Sequence, residues 1–305
     1  MLYPDFEELV ALKGRATQLC LKSNRAVIST ATGDNLSPFR GQGLEFEEVR
    51  EYAPGDDVRN IDWRVTARTG KPHMKVFREE HERSVMLCVD VNEAMRFGTR
   101  GTFKSVQAAR VAALLGWRAH MNHDRLGGCL FGSISKGVQF FAPKRSRKSF
   151  WAILKQLSDH NHLTDSKIVP VGDILMNFNK AAPTGSLIYV ISDFSSLGES
   201  FALQIGKLRK RCDLVFITID DAADQHIPPI GEVLFANDHT ETVHINTNNG
   251  LGRKSYAHQW QETRTQLCQI ASQFAIGLIS LRTTDVVASQ LTLGLKHLSK
   301  RTQVR

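Results

Sequence analysis

From Ser84 to the C-terminus, short apolar runs alternate with segments whose apolar residues recur at helical spacing. VMLCVD (85–90), RLGGCLFG (125–132), VQFFA (138–142), SLIYVISD (186–193), LVFITIDD (214–221) and AIGLISL (275–281) have the length and β-branched or aromatic content of buried strands. Between them, FKSVQAARVAALLGWRAH (103–120), SFWAILKQL, VGDILMNFNKAA, ESFALQIGKLRKR and SYAHQWQETRTQLCQIASQF repeat apolar positions every three or four residues, and DVVASQLTLGLKHLSK closes the chain in the same way. VLFANDHTETVHI (233–245) interrupts this order as a hairpin. The pattern predicts an α/β domain over 84–305: a doubly wound, mostly parallel sheet with helices on both faces.

Ahead of it the texture differs. Residues 5–22 carry Phe6, Leu9, Val10, Ala16, Leu19 and Cys20 on one helical face behind Asp5, and Ser23 to Gly43 read as a loop, so 1–40 is expected to be a helix followed by a loop. Residues 41–83 are dense in both signs of charge and form a smaller charged N-terminal region, expected to pack on the main domain. Within it, Pro54-Gly55 suits a type II turn. Asp56 or Asp57 is expected to cap a helix with Val58, Ile61 and Val65 on one stripe, and Thr69-Gly70 to end it. Arg59, Asp62, Arg64 and Arg68 fall at spacings that allow ion pairs one turn apart, and Trp63 is expected to anchor the segment against the sheet domain.

In open α/β sheets ligands sit beyond the carboxyl ends of the strands, at the point where strand order reverses. Among the apolar runs that end in an acid, VMLCVD and SLIYVISD place Asp90 and Asp193 at one edge of the sheet. Each acid also suits a plain capping role.

The stretch GQGLEFEEVREYAPGDDVRNIDWRVTARTG (41–70), with MLCVDVNEAM (86–95) and VISDF (190–194), resembles the von Willebrand factor A-like bacterial proteins of unassigned function that are encoded beside MoxR-type AAA+ ATPases (domain of unknown function fifty-eight). The residues that carry the likeness include Gly43, Glu45, Arg50, Tyr52, Asp56, Asp57, Arg59, Asp62, Trp63 and Arg68, and it extends over roughly 40–300. The resemblance implies a von Willebrand factor A-like fold and a non-enzymatic protein–protein interaction module. That module would be an adaptor working with a MoxR-type ATPase in protein maturation or chaperone-like remodelling, through the sheet edge or through Arg50, Asp56, Asp57, Arg59, Asp62, Trp63 and Arg68. Such domains often hold Mg²⁺ through Asp-x-Ser-x-Ser, a Thr and a second Asp, but no cofactor is expected in this chain. Here the matching positions are Asp90, Asn92 and Ala94, with Asp193 as the late acid; Val169-Pro170 stands where the Thr is wanted, and Thr164 lies upstream. Ala94 offers a hard cation no oxygen, so the set is degenerate: two acids and an amide. The alternative is a Mg²⁺-dependent protein-ligand receptor at Asp90, Asn92 and Asp193.

Composition adds exclusions. Over 305 residues, 23% charged and 42% apolar content suits a folded chain, and no run approaches the ~20 apolar residues of a membrane span. MLYPDFEELVALKGR places acids before its apolar run, the wrong order for a secretory signal, and five scattered cysteines without a CxxC argue against a disulfide framework or a zinc site. A cytoplasmic protein is expected. The excess of 39 Lys and Arg over 31 Asp and Glu is concentrated at Lys144–Lys148, Lys207–Arg211 and the C-terminal tail. Two of these clusters close predicted helices, where cations offset the macrodipole, and no aromatics interleave with them, so nucleic acid is not expected as a partner. GTRGTFKS (98–105) has Phe103 where a phosphate loop needs Gly before its Lys, which leaves a phosphate-handling enzyme using Lys104 and Asp193 as the weakest alternative. No catalytic constellation is seen.

Overall fold

The computed structural model describes residues 3–19, 44–53, 58, 61–79, 83–132, 138–159, 170–236 and 242–303. Two compact units emerge, one formed by 1–30 with 83–305 and the other by 31–82.

The larger unit is built on a six-stranded sheet. In chain order its strands are β3 (Ser84–Asp90), β4 (Arg125–Phe131), β5 (Val138–Lys144), β6 (Leu187–Ser192), β7 (Asp213–Asp220) and β10 (Gly277–Arg282), arranged β10-β7-β6-β3-β4-β5. Neighbours run parallel except β5, which returns antiparallel to β4 at the edge. All seven residues of β3 are buried, as a central strand covered on both faces requires. Its side chains alternate between two cores. Val85, Leu87 and Val89 join α4 (Lys104–Met121), α5 (Arg147–Ser158) and α10 (Val287–Gln303), while Met86 and Cys88 join α6 (Val171–Ala181), α7 (Phe201–Arg209) and α9 (Gly250–Gln273). Helices therefore cover both faces of a mostly parallel sheet, as the apolar runs predict and as the von Willebrand factor A-like resemblance implies.

The N-terminal helices α1 (Phe6–Ala11) and α2 (Lys13–Ala16) belong to this unit. Asp5 caps α1 by accepting from the Glu8 N–H at 2.9 Å, and Leu9, Leu12, Ala16 and Leu19 are buried. The Trp117 indole N–H donates to the Leu9 carbonyl at 3.0 Å, and Arg110 pairs with Glu8 at 2.7 Å. The first half of the segment read as a separate region is thus tied into the sheet domain; Cys20 and the loop from Ser23 to Gly43 lie outside the described residues. Two further elements, α8 (Ala222–Gln225) and the antiparallel pair β8 (Glu232–Ala236) and β9 (Thr242–Asn246), follow β7.

The smaller unit is an antiparallel hairpin of β1 (Leu44–Glu51) and β2 (His73–Glu79) with α3 (Trp63–Thr69) in its connection. The cap and the start of α3 differ from expectation. Ile61 forms a β-bridge with Met74 and the Asp62 N–H donates to the His73 carbonyl at 2.8 Å, so Ile61 and Asp62 lie against β2 ahead of the helix. Asp62, rather than Asp56 or Asp57, therefore caps the helix, accepting from the N–H groups of Arg64 and Val65 at 3.0 and 3.2 Å. Val58 is left outside the helix and exposed. Trp63, expected as an anchor against the sheet domain, opens α3 and is 71% exposed. Gly70 ends α3 at φ +72°, as Thr69-Gly70 predicts. Pro54, Gly55, Asp56, Asp57 and Arg59 lie outside the described residues. Arg50 and Arg68 are both exposed.

Candidate functional site

Strand order reverses between β3 and β6: from β3 the chain first winds outward through β4 and β5, then returns to the other side of β3. The two acids singled out in the sequence stand there side by side, Asp90 ending β3 and Asp193 directly after β6. Both are buried, as is Asn92.

Asp90 is held by neutral donors. One carboxylate oxygen accepts from the Asn92 N–H at 2.8 Å and the other from the Ser192 hydroxyl at 2.5 Å. The Ser192 oxygen in turn accepts from the Phe194 N–H at 2.9 Å. Burial pushes the Asp90 carboxyl up to about 7 and the nearby charge of Asp193 adds to the rise, against the hydrogen bonds from Ser192 and Asn92. Asn92 fits because Gly132 faces it: a Cβ at Gly132, where φ is +116°, would lie 2.5 Å from the Asn92 nitrogen.

Asp193 has a cation. One oxygen accepts from the Ser195 N–H at 2.9 Å; the other takes the Lys104 ammonium at 2.8 Å. Lys104 is the first residue of α4 and 3% exposed, and its ammonium also meets Asp224 at 3.2 Å. Burial would lift the Asp193 pKa, but the charge and hydrogen bond of Lys104 outweigh it and hold the carboxyl below its usual range. Burial likewise works against the Lys104 charge, and Asp193 and Asp224 overcome it, raising its pKa. The ion pair is thereby fixed in its charged form.

A second ring of contacts holds Asp224. It forms a capping box with Asp221 at the start of α8. Asp221 accepts from the Thr99 hydroxyl at 2.5 Å, the Thr99 N–H at 3.0 Å and the Thr283 hydroxyl at 2.6 Å, joining the loop before α4 to the end of β10. Next to it Asp220, raised by burial, pairs with Arg264 of α9, whose guanidinium stacks on Trp260 at 5.2 Å. Within GTRGTFKS, Lys104 and Thr99 are both committed to Asp side chains, so the lysine of this loop is not available to a phosphate. Ser192 is fully buried beneath Asp90, which keeps any reacting carbonyl from its hydroxyl.

The basic clusters are also partly spoken for. Arg209 pairs with Asp213 at 3.0 Å and Arg211 donates to carbonyls at the end of α6, as expected of cations placed at helix ends. Arg147 stacks on Trp151 at 5.0 Å.

Residues 48–266 match the family described as Protein of unknown function DUF58. The chain belongs to this family. Over 255 residues it is 25% identical to the uncharacterized protein Rv1480 of Mycobacterium tuberculosis, covering 82% of this chain and 78% of that one. Among solved structures it is similar to the conserved hypothetical protein BatB from Bacteroides thetaiotaomicron, at 13% identity and TM-score 0.44 over 72% of this chain and 99% of that one. It is also similar to a von Willebrand factor type A protein from Catenulispora acidiphila, at 10% identity and TM-score 0.40 over 75% and 44%. The DUF58 assignment agrees with the resemblance carried by residues 41–70, and the fold itself follows from the strand order.

Against the metal set that such a fold implies, this DUF58 chain fits poorly. Every carboxylate oxygen of Asp90 and Asp193 already receives a hydrogen bond, and the partner of one is an ammonium. Asn92 turns the chain into a short 3₁₀ segment, Glu93–Arg96, in which Ala94 brings no donor and Met95 is buried. Thr164 lies outside the described residues, and Pro170 serves as the N-cap of α6. Among the described residues no group of three or more His, Cys, Asp or Glu is arranged to hold a metal ion. Of the contributors, Ser192, Asp221, Asp224, Thr99, Thr283 and Arg264 escaped sequence reasoning. Only the double acid closing LVFITIDD hinted at them.

Proposed function

We propose that this DUF58 chain is a non-enzymatic protein–protein interaction module, an adaptor that works with a MoxR-type AAA+ ATPase in protein maturation or chaperone-like remodelling. The observation that carries this is the state of the switch-point edge among the described residues: Asp90, Asp193, Lys104 and Ser192 are engaged with one another or with Asp224, at the place where such sheets do chemistry. What remains outside is surface. Trp63 is exposed beside Arg64 and Arg68, the aromatic and guanidinium side chains that most often anchor protein interfaces. No described helix is long and apolar enough to cross a membrane, and we place the module in the cytoplasm.

The test is affinity capture of the tagged full-length chain from its native cell, with and without chelator, alongside Trp63→Glu. The expected result is an AAA+ ATPase retained by the wild type in chelator and lost with Trp63→Glu at unchanged melting temperature. Recovery of no AAA+ ATPase overturns the adaptor role, and a complex that chelator dissolves favours a Mg²⁺-dependent receptor instead.

A further inference from the structure

The fold family points to a divalent cation at the carboxyl edge of β3 and β6, yet the structure has a cation there already. We infer that Lys104 serves as the resident cation of this edge, its ammonium taking the part that a divalent metal takes in other von Willebrand factor A-like domains, so that the edge is complete without metal. This deepens the interaction-module reading by making its switch-point edge metal-independent.

Three observations converge on it. The Lys104 ammonium sits 2.8 Å from Asp193 and 3.2 Å from Asp224 while only 3% exposed, so it is a fixed internal charge and not a surface side chain that happens to lie nearby. An internal ammonium on this scale persists only where it is paired on more than one side. It also links three elements, the N-terminus of α4, the end of β6 and α8, as a bound cation would. Finally, the donor positions a metal would need are poor in free oxygen: Ala94 supplies none, and Asp90 is satisfied by the neutral Ser192 hydroxyl and the Asn92 N–H. A site with its positive charge built in has no use for further oxygen ligands.

The position of Lys104 has a local cause. Its backbone N–H donates to the Phe97 carbonyl at 2.9 Å, and its ammonium lies 5.8 Å from the Phe97 ring, so the Phe97–Phe103 loop delivers the side chain inward. Thr99 pins that loop to Asp221.

The experiment uses the purified full chain after chelator treatment. Mn²⁺ is titrated into wild type, Lys104→Met, Lys104→Met/Asp193→Asn and Asp90→Asn, followed by the electron paramagnetic resonance of free ion, and each variant is melted with and without Mg²⁺. The wild type is expected to show no saturable Mn²⁺ binding and the same melting temperature in either buffer. Lys104→Met should melt about 8 °C lower, since it strands the buried Asp193 carboxylate and the half-buried Asp224, and the double variant should recover part of that loss. Saturable Mn²⁺ binding by the wild type that disappears in Asp90→Asn overturns the inference, as does a Lys104→Met protein that melts with the wild type. If Lys104→Met is not recovered folded, a folded double variant supports the inference and an unfolded one counts against it. Partner capture is scored apart: a metal-free edge with no ATPase recovered removes the adaptor role and leaves this inference standing.

Discussion

The carboxyl edge of the sheet and the hairpin of β1 and β2 are both rich in charge, and they use it in opposite ways. At the edge, Lys104 and Asp193 are buried, Asp224 and Arg264 are half-buried, and all four are paired, so each charge is matched at short range in a medium that screens little. In the hairpin, Arg50, Arg64 and Arg68 lie exposed, and the Lys71–Glu51 pair at 3.2 Å is open to water on both sides. Charge of the first kind holds elements together, because removing one partner strands the other. Charge of the second kind contributes little to stability. Counting charged residues along the sequence does not separate the two; burial does.

The sharpest contrast between the regions comes from deleting one cation in each. Lys104→Met is expected to cost on the order of 3–5 kcal/mol, because Asp193 is left ionised inside the fold, while Arg68→Met in α3 should stay within about 0.5 kcal/mol. Urea midpoints of the two variants measure the difference, and equal losses would erase the distinction between the regions.

The edge itself is divided, since Asp90 has a hydroxyl where Asp193 has an ammonium. That division predicts a pH dependence. With its pKa near 7 when folded and near 3.9 when unfolded, Asp90 keeps a proton in the folded state that the unfolded chain has already released. Stability attributable to Asp90 therefore falls as pH rises from about 4 to about 7, by a few kcal/mol, and is flat above that window. Asp193 and Asp221, both held below the usual range, act in the opposite sense: the stability they give is present above about 4 and is lost only as pH falls further. Asp90→Asn should flatten the decline between pH 5 and pH 8, read from urea midpoints at the two values. An unchanged decline would move its origin elsewhere.

Much of this was legible in the chain, for a physical reason. Strands buried on both faces are short continuous apolar runs, and VMLCVD and SLIYVISD end in their acids, so the pairing of Asp90 and Asp193 at one edge followed from the rule for open sheets. The ion pairs did not follow. Asp224 lies 120 residues beyond Lys104 and Thr283 lies 62 beyond Asp221, separations at which spacing carries no signal. Lys104 was visible only as a misplaced phosphate-loop lysine, although a lysine directly ahead of an apolar helical repeat is also one positioned to be drawn under the sheet edge. In the hairpin, three aspartates precede the same helix, and which of them caps it was decided by the Ile61–Met74 bridge, a tertiary contact.

Smaller changes sharpen the comparison at single hydrogen bonds. Ser192→Ala removes the donor to Asp90 and the acceptor of the Phe194 N–H, both without access to water, and is expected to cost about 1–3 kcal/mol while lifting the Asp90 pKa further. Its mark is a pH-dependent decline that begins in the same place and runs to a higher pH than in the wild type.

The gentlest test lies in the hairpin, where one carboxylate does have a structural task. Asp62 accepts two N–H bonds at the first turn of α3, so Asp62→Ala should cost about 1 kcal/mol, whereas Asp62→Asn, which keeps an oxygen in the same place, should cost only a few tenths. Lys71→Ala, which removes an exposed pair, should be indistinguishable from wild type. If the order were reversed, with the exposed pair mattering more than the cap, the hairpin's charges would be holding it together in the manner of the sheet edge. Amide hydrogen exchange at Arg64 and Val65 separates these cases, because loss of the cap frees those two groups first and leaves the β1–β2 ladder protected.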